Sequence, residues 1–161
     1  MTFEYIIRSL IREDRTIVLQ KIIESWGAAN VITHGEVFFP ADLPGFAAFH
    51  DKNMIGLLTY KMEGNNCEII TIDSWHERIG IGSALIHKVV DVARQAGCDR
   101  IHLSTTNDNL NALRFYQKLG FQISGINVGA MVKARHLKPQ IPQIGNEGIP
   151  IRDEILLQLF I

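Results

Sequence analysis

The sequence predicts an α/β fold of the α+β kind, in which a mixed and mostly antiparallel central sheet is flanked by helices. Three observations lead to this prediction. Strand-like segments separated by short polar turns fill the middle of the chain. Two segments with helical periodicity, each ended by a glycine, follow them. Strand-like segments then alternate with these helices up to the C-terminus, an order typical of a sheet covered by helices.

The N-terminal half is predicted to begin with a strand over 3–10 and a helix over 14–28. The apolar residues of the helical segment have mostly helical spacing, with Asp14 as a candidate N-cap and Gly27 as the stop. The segment 38–45 carries two prolines and is predicted as a loop. Three strands then form an antiparallel meander with hairpin turns between them. The strands are predicted at 45–50, 54–62 and 67–75.

The C-terminal half is predicted to begin with a helix from about Ser83 to Ala96, whose apolar residues share one face. A strand, a shorter helix ended by Gly120 and another strand follow. Their predicted ranges are 99–106, 109–120 and 121–126. The segment 128–150 contains three prolines and is predicted to be rich in loops, and 151–161 is predicted as the last strand.

Composition limits the function. The 161 residues are predicted to form one domain, 1–161, in which 128–161 is a loop-rich segment plus the last strand. A formal net charge of -1 argues against a nucleic-acid partner, and no apolar run approaches the length of a membrane span. Cys67 and Cys98 fit neither a disulfide framework nor a metal site. No signal-peptide layout is evident at the start, and we expect a cytoplasmic protein without a bound metal.

The stretch 76–86, HERIGIGSALI, places two glycines one residue apart directly before a predicted helix. Such glycines let several backbone N–H groups point at one site, and let a ligand approach without meeting a Cβ. The stretch therefore predicts a phosphate or pyrophosphate site at a helix N-terminus; a simple tight turn is the alternative. A nucleotide phosphate loop would need a Lys-Ser/Thr pair where Ser83 and Ala84 stand, and the dinucleotide fingerprint would need a glycine at Leu85.

A second stretch, 109–121, reads NLNALRFYQKLGF. It resembles the second signature of the GNAT superfamily of N-acetyltransferases, N-x-x-A-hydrophobic-x-aromatic-Tyr-x-x-x-Gly-Phe. The earlier stretch IITIDSWHERIGIGSAL is similar to the first signature, a strand followed by Q/R-x-x-G-x-G/A at the start of a helix. Ile70 and Ile72 take the strand positions, and Gly80 and Gly82 take the two glycines. The order of the signatures and their separation of about 30 residues match as well.

The resemblance implies that the glycine loop wraps the pyrophosphate of acetyl-CoA through backbone N–H groups. The residues implied are Arg78, Ile79, Gly80, Ile81, Gly82, Ser83 and Ala84. The chain departs from the signature at Glu77, which stands at the Gln/Arg position. A carboxylate cannot donate a hydrogen bond to phosphate, so Arg78, one place later, would supply the side-chain contact.

The resemblance also implies that the main chain of Ile70 and Ile72 pairs with the pantetheine arm, and that one of their N–H groups polarises the acetyl carbonyl. Asn109 would anchor the arm from the other side, and Ala112 of the same signature counts among the cofactor-contacting residues. Asn109 is equally interpretable as a helix N-cap.

The resemblance places Tyr116 beside the thioester sulfur as the general acid, and a buried aromatic in the core is the alternative. A tyrosine, with an ordinary pKa near 10, carries a proton to give at neutral pH. Glu68 is the candidate general base, because it precedes Ile70 by two and shares its strand face; a solvated strand residue is the alternative.

The six histidines and the two cysteines give only weaker candidates for catalytic roles. His50 and His76 are further candidate proton relays. His34, His87, His102 and His136 have no sequence context that argues for function. No histidine is spaced to activate either cysteine, which favours direct attack by the amine over an acetyl-cysteine route.

The resulting hypothesis is an N-acetyltransferase that moves an acetyl group from acetyl-CoA to a primary amine of a small molecule or a peptide. The alternative is an acyl-CoA-binding sensor without turnover on the same fold. The acceptor pocket is expected from the first helix, the loop 30–44 and the tail after Val128. The segment 129–150 is long enough for a lid or a homodimer contact.

Overall fold

The computed structural model describes residues 2–161 and contains nine strands and four α-helices in that range. The strands are β1 (Ile6–Ser9), β2 (Val31–Thr33), β3 (Glu36–Phe38), β4 (Gly45–His50), β5 (Asn53–Glu63), β6 (Asn66–Ser74), β7 (Arg100–Thr106), β8 (Gln122–Asn127) and β9 (Glu154–Phe160). The helices are α1 (Arg15–Trp26), α2 (Ile81–Gln95), α3 (Leu110–Lys118) and α4 (Ala130–Leu137).

The main sheet has seven strands in the order β1-β4-β5-β6-β7-β9-β8. Every neighbouring pair in it is antiparallel except β6 and β7, which are parallel. The predicted meander is confirmed as β4, β5 and β6, which are joined by two hairpins. The predicted fold class, a mixed and mostly antiparallel sheet flanked by helices, is therefore confirmed.

Alternation along the strands divides the core into two layers. In β5, Leu57 packs in a cluster with Val18 and Ile22 of α1, whereas Leu58 packs in the larger cluster that contains α2 and α3. Successive strand side chains point to opposite faces, so α1 covers one face of the sheet and α2 and α3 cover the other. Within residues 2–161, each helix lacks either the length or the apolar character needed to cross a bilayer.

The prediction of a plain loop over 30–44 is wrong in part, because β2 and β3 form a separate two-stranded hairpin there. Its two turn residues, His34 and Gly35, have φ of 52° and 73°. Positive φ at both central residues is the turn that matches the twist of paired strands. Histidine in the place of the usual asparagine or aspartate hides this hairpin from sequence inspection.

The segment 128–150 is less irregular than predicted, because it contains α4. Gly129 starts this helix with a φ of 73°. The end is fixed by Lys138, whose buried ammonium donates to the carbonyl oxygens of Trp26 and Asn30, each at 2.7 Å. These tertiary contacts tie α4 to the end of α1, and a helix of only eight residues gives too short a pattern to be recognised in the sequence.

Asp14 precedes α1 as predicted, but its side chain does not cap the helix. Both carboxylate oxygens accept hydrogen bonds from Arg8, at 2.7 and 2.9 Å, and one of them also accepts from the backbone N–H of Ile11. Asp14 therefore fastens the start of α1 to β1. Gly27 ends α1 in the left-handed conformation, as the sequence predicts.

Gly56 sets the distance between the sheet and the start of α2. A Cβ built on Gly56 would lie 2.4 Å from Cγ2 of Ile81 and 3.3 Å from Cβ of Ala48. Ile81 is the first residue of α2 and is fully buried. The absent side chain lets the N-terminus of α2 rest directly on β5.

We expect Gly56→Ala to lower the free energy of unfolding by about 1–3 kcal/mol, because the added methyl overpacks this contact. Urea unfolding measures the change. Ile81→Ala removes the obstructing methyl, so the double variant should lose less stability than the sum of the two single variants. Strictly additive losses would contradict the proposed contact.

Candidate active site

The sheet opens between β6 and β7. The two strands pair over three residues, and the last pair joins Glu68 and His102. Beyond that pair β6 continues to Ser74 and β7 to Thr106, but the two strands diverge. One edge of β6 therefore presents main-chain N–H and C=O groups to a gap, and such groups require partners.

A β-bulge lies at the start of this opening. Tyr60 pairs with Ile69 and Thr59 pairs with Thr71, so Ile70 is an extra residue without a partner on β5. The register after the bulge is held by the buried hydroxyls of Thr59 and Thr71, 2.6 Å apart. Bulges bend a strand and redirect its side chains.

The bulge separates Ile70 and Ile72, which the signature pattern treats alike. Ile70 packs with Val31 and Phe38 of the β2–β3 hairpin, whereas Ile72 packs against the core beneath α2. The two side chains thus lie on opposite faces of the sheet. Glu68 lies two residues before Ile70, on the near side of the bulge. The strand register therefore agrees with the prediction that their side chains share a face.

The loop before α2 has the curled backbone that the glycine pattern predicts. Arg78 and Gly80 both have positive φ, 63° and 80°. A backbone with positive φ at alternate residues directs successive N–H groups toward one concavity. Gly80 is the N-cap, and no side chain caps the helix. The N–H groups of Ile81, Gly82 and Ser83 are then available to an anion at the positive end of the helix dipole.

Two details of this loop differ from the sequence interpretation. The N–H of Ala84 donates to the carbonyl of Gly80 at 3.0 Å, so this amide is used within the helix. A Cβ on Gly82 would lie 3.0 Å from Cζ of Phe115. The small residue at Gly82 therefore serves the packing of α2 against α3, whereas space around Gly80 is open.

The second signature forms α3 and its cap. The side-chain oxygen of Asn109 accepts from the N–H of Ala112 at 3.2 Å, which makes Asn109 the N-cap of α3. The N-cap interpretation is thus confirmed. The amide nitrogen of Asn109 is not engaged in that bond and remains able to donate.

Tyr116 is buried, with 7% of its surface exposed, and belongs to the same core cluster as Ile69 of β6 and Leu103 of β7. Its ring makes edge contacts with Phe115 and Phe121, with centroids 5.3 and 5.7 Å apart. Burial, and secondarily the charge of Asp73, raise the pKa of Tyr116 above its ordinary value. The phenol therefore stays protonated across the physiological range.

Asp73 is a titratable residue of β6 to which the sequence patterns assign no role. Burial raises the pKa of Asp73, while a hydrogen bond from Nε1 of Trp26, at 2.9 Å, opposes that shift. Asp73 lies on β6 after the bulge, and its charge acts on Tyr116.

The hairpin turn brings His34 onto β6 and β9. Its Nε2 lies 2.5 Å from Oε1 of Glu68, and its Nδ1 lies 3.4 Å from Oε1 of Glu154. The hydrogen bonds to Glu154 and to Glu68 raise the pKa of His34 to about 10. Burial alone would raise the pKa of Glu154, but bonds from His34 and Asn127 outweigh burial and lower it. His34 is therefore an imidazolium between two carboxylates.

His102 completes this group. One ligand-type atom each of His34, Glu68 and His102 lies within 4.8 Å of the others, a spacing that would suit a metal ion. His34 is already bonded to Glu68 and Glu154, so we interpret these three residues as a charged hydrogen-bond network with His102 beside it. No sequence context argues for a function of either histidine. No local pattern could have revealed the network, since its members come from a turn and three strands.

His50 and His76, the other candidate relays, lie elsewhere. Both rings stack on Phe3, each at a centroid distance of 4.3 Å. His50 also contacts the carbonyl oxygen of Glu4 at 2.7 Å. Their contacts attach the N-terminal segment to the β4–β5 turn and the loop after β6, so neither belongs to the network around Glu68.

A cavity of about 570 Å³ adjoins the network between the β2–β3 turn, the end of β8 and α4. His34 and Glu154 form its inner wall. One face of α4 forms the opposite wall, with residues at helical spacing of three and four. That face consists of Ala130, Lys133, Ala134 and Leu137. The expected loop 30–44 and the tail after Val128 thus contribute to a pocket, whereas no residue of α1 lines it.

Comparison with known proteins agrees with this architecture. Residues 7–121 match the acetyltransferase (GNAT) family. YdhI of Bacillus subtilis (strain 168), described as uncharacterized, is 47% identical over 132 residues, 81% of this chain and 82% of the relative. Spermine/spermidine N(1)-acetyltransferase of the same strain is 30% identical over 95 residues, 55% of this chain and 59% of the relative.

A solved acetyltransferase of Bacillus subtilis in complex with CoA has the same fold, with a TM-score of 0.68 and 20% identity over 98% of this chain and 99% of that one. The fold and these matches define the class of protein as an acetyltransferase. The chain belongs to the GNAT acetyltransferase family.

The charge on His34 predicts a pH-dependent contribution to stability. Because the pKa of His34 is raised to about 10 from its ordinary 6.5, the contribution is complete below pH 6.5 and is lost as the pH rises toward 10. We expect the stability difference between the native protein and His34→Asn to shrink between about pH 6 and 9.5, measured by urea unfolding. The exposed Gln95 at the end of α2 supplies the control, Gln95→Asn, which changes no titratable group and whose difference should stay flat. A constant difference for His34→Asn would contradict the ionised bridge.

Proposed function

We propose that this protein transfers the acetyl group of acetyl-CoA to a primary amine by direct attack of the amine on the thioester. The observation that carries the proposal is the open edge of β6, which starts at the bulge and runs toward the free N–H groups of α2. An extended arm with amide groups satisfies such an edge as another strand would. The family membership supports the same donor.

The donor site proposed is continuous. The main chain of Ile70 and Ile72 pairs with the pantetheine arm, and the loop from Arg78 to Ser83 holds the pyrophosphate. Asn109 approaches the arm from the side of α3 through its free amide nitrogen. The anion site rests on backbone N–H groups and the helix dipole. Glu77, which is exposed, therefore does not prevent phosphate binding.

Tyr116 is proposed as the general acid that protonates the departing thiolate. Its position in the cluster shared by β6 and β7 and its raised pKa support a proton donor held out of water. A covalent acetyl-cysteine route is disfavoured. Cys67 is fully buried, and burial raises the pKa of its thiol to about 12, so it does not form a thiolate nucleophile near neutral pH.

The acceptor is proposed to occupy the cavity between the β2–β3 turn and α4. Its inner wall carries the network of His34 and Glu154, next to Glu68 at the start of the opening. The likeness to a spermine/spermidine acetyltransferase supports an amine as the acceptor.

The pyrophosphate site predicts an effect of charge at Ser83. Ser83→Asp places a carboxylate in the first turn of α2, where it stabilises the helix but repels phosphate. We expect the Kd for acetyl-CoA to rise at least tenfold, on the order of 1.4 kcal/mol, in calorimetric titration. The same change at the exposed Ser124 of β8, Ser124→Asp, should leave the Kd unchanged. Equal affinities of the native protein and Ser83→Asp would move the pyrophosphate away from this helix.

The proposed acid predicts a separation of binding from turnover. Tyr116→Phe removes one hydroxyl from the core, so acetyl-CoA should bind within about threefold of native affinity while kcat falls by about 10²–10³. Thiol release from acetyl-CoA, with a panel of amino acids, polyamines and peptide N-termini, measures turnover. Tight binding with no turnover of any amine by the native protein would favour a non-catalytic acyl-CoA sensor.

A further inference from the structure

His102 occupies the one register position where β6 and β7 stop pairing. It is the partner of Glu68 in the last pair of the parallel ladder, so both side chains project from the same face of the sheet at the start of the opening. That face is the one covered by the β2–β3 hairpin, which holds Ile70 beneath Val31 and Phe38. His102 therefore lies where an acceptor from the hairpin side would meet the opening.

Glu68 is poorly placed to act alone as a base. One of its oxygens already accepts from the His34 imidazolium at 2.5 Å. A proton added to Glu68 would neutralise this ion pair and leave the His34 charge with Glu154 as its remaining partner. The structure thus uses Glu68 to hold a positive charge.

His102, in contrast to Glu68, is not held in an ion pair. Within residues 2–161 its ring nitrogens make no hydrogen bond, although it is half-buried. Three charged groups act on it: Glu68 from β6, His34 from the hairpin turn and Arg100 from its own strand. Glu154 of β9 faces His34. Gln158, its register partner on β9, is uncharged. Burial lowers the pKa of His102; Glu68 opposes this shift, whereas Arg100 and His34 add to it.

The ion pairs of the network favour His102 over Glu68 as the proton acceptor. With His34 and Arg100 charged, Glu68 and Glu154 ionised and His102 neutral, these five groups carry no net charge. A proton received by His102 keeps every existing ion pair, whereas a proton received by Glu68 removes one. We propose that His102 is the general base that takes the proton from the acceptor amine, with Glu68 and His34 as positioning residues. This inference rests on the proposed acetyl transfer.

The acceptor ammonium gives one N–H proton to a ring nitrogen of His102, which later releases it to solvent. The freed amine forms the new C–N bond as the C–S bond breaks. Tyr116 gives its proton to the leaving thiolate, and the second proton lost by the nitrogen restores Tyr116.

The experiment compares pH profiles of kcat/KM for the native protein, His102→Gln and Glu68→Gln. The acceptor is an amine identified as a substrate in the thiol-release panel. We expect His102→Gln to lose about 10²-fold or more in kcat, without a change in the Kd for acetyl-CoA, and to lose the acid limb of the profile. Glu68→Gln should keep that limb and shift it to lower pH, because Glu68 raises the pKa of His102. His87→Gln, on the exposed face of α2, should match the native protein.

A second variant guards against a folding defect. His102→Ala creates space beside the network, so added imidazole should restore a measurable part of the lost rate. Restoration by imidazole with unchanged acetyl-CoA affinity supports a lost base. Activity of His102→Gln within about threefold of native, or loss of the acid limb in Glu68→Gln alone, would overturn the proposal in favour of Glu68.

A direct titration separates this inference from the proposed function. Histidine C2–H signals followed by NMR should show His102 titrating below 6.5 and His34 remaining protonated beyond pH 8. Variants His102→Gln and His34→Asn assign the two signals. If no amine is acetylated but these titrations hold, the proposed activity fails and the charge arrangement stands. If His102 is protonated at neutral pH, it cannot be the base whatever the reaction.

Discussion

The divergence of β6 and β7 after three paired residues is the constraint on which the rest of the site depends. Backbone groups in a buried parallel ladder are normally paired, and here one edge of β6 is left to other partners. The bulge at Ile70 bends the strand at this point, and the Thr59–Thr71 bond restores the register beyond it. The opening is therefore a built feature, since packing and a buried hydrogen bond fix its start.

The two layers of the core give the opening two different sides. On one face, the absent side chains at Gly56 and Gly82 bring α2 close to the sheet and to α3, so the helix N-terminus and Tyr116 are held in the main core. On the other face, the hairpin covers Ile70 and delivers His34. A donor held on the first side and an acceptor held on the second would meet between the strands.

The sequence predicted most of what depends on local patterns. Periodicity located α1, α2 and α3, and the glycines located the start of α2 and the end of α1. The cap at Asn109 also follows from residue type. The hairpin turn, α4 and the network of His34 and His102 were missed. Besides the unusual histidine in the turn, these features share one physical reason. Each is stabilised by contacts between residues distant in sequence, such as Thr33 with Ser104 at 2.6 Å and Lys138 with Trp26. The bulge likewise overrode the simple alternation that would place Ile70 and Ile72 together.

The β2–β3 hairpin forms a sheet of its own and joins the rest of the chain through side chains. Substitutions in its turn therefore leave every strand pair of the main sheet in place. Under the proposed placement of the acceptor, changes within the eight residues 31–38 alter the acceptor side of the opening without changing a strand pair of the main sheet.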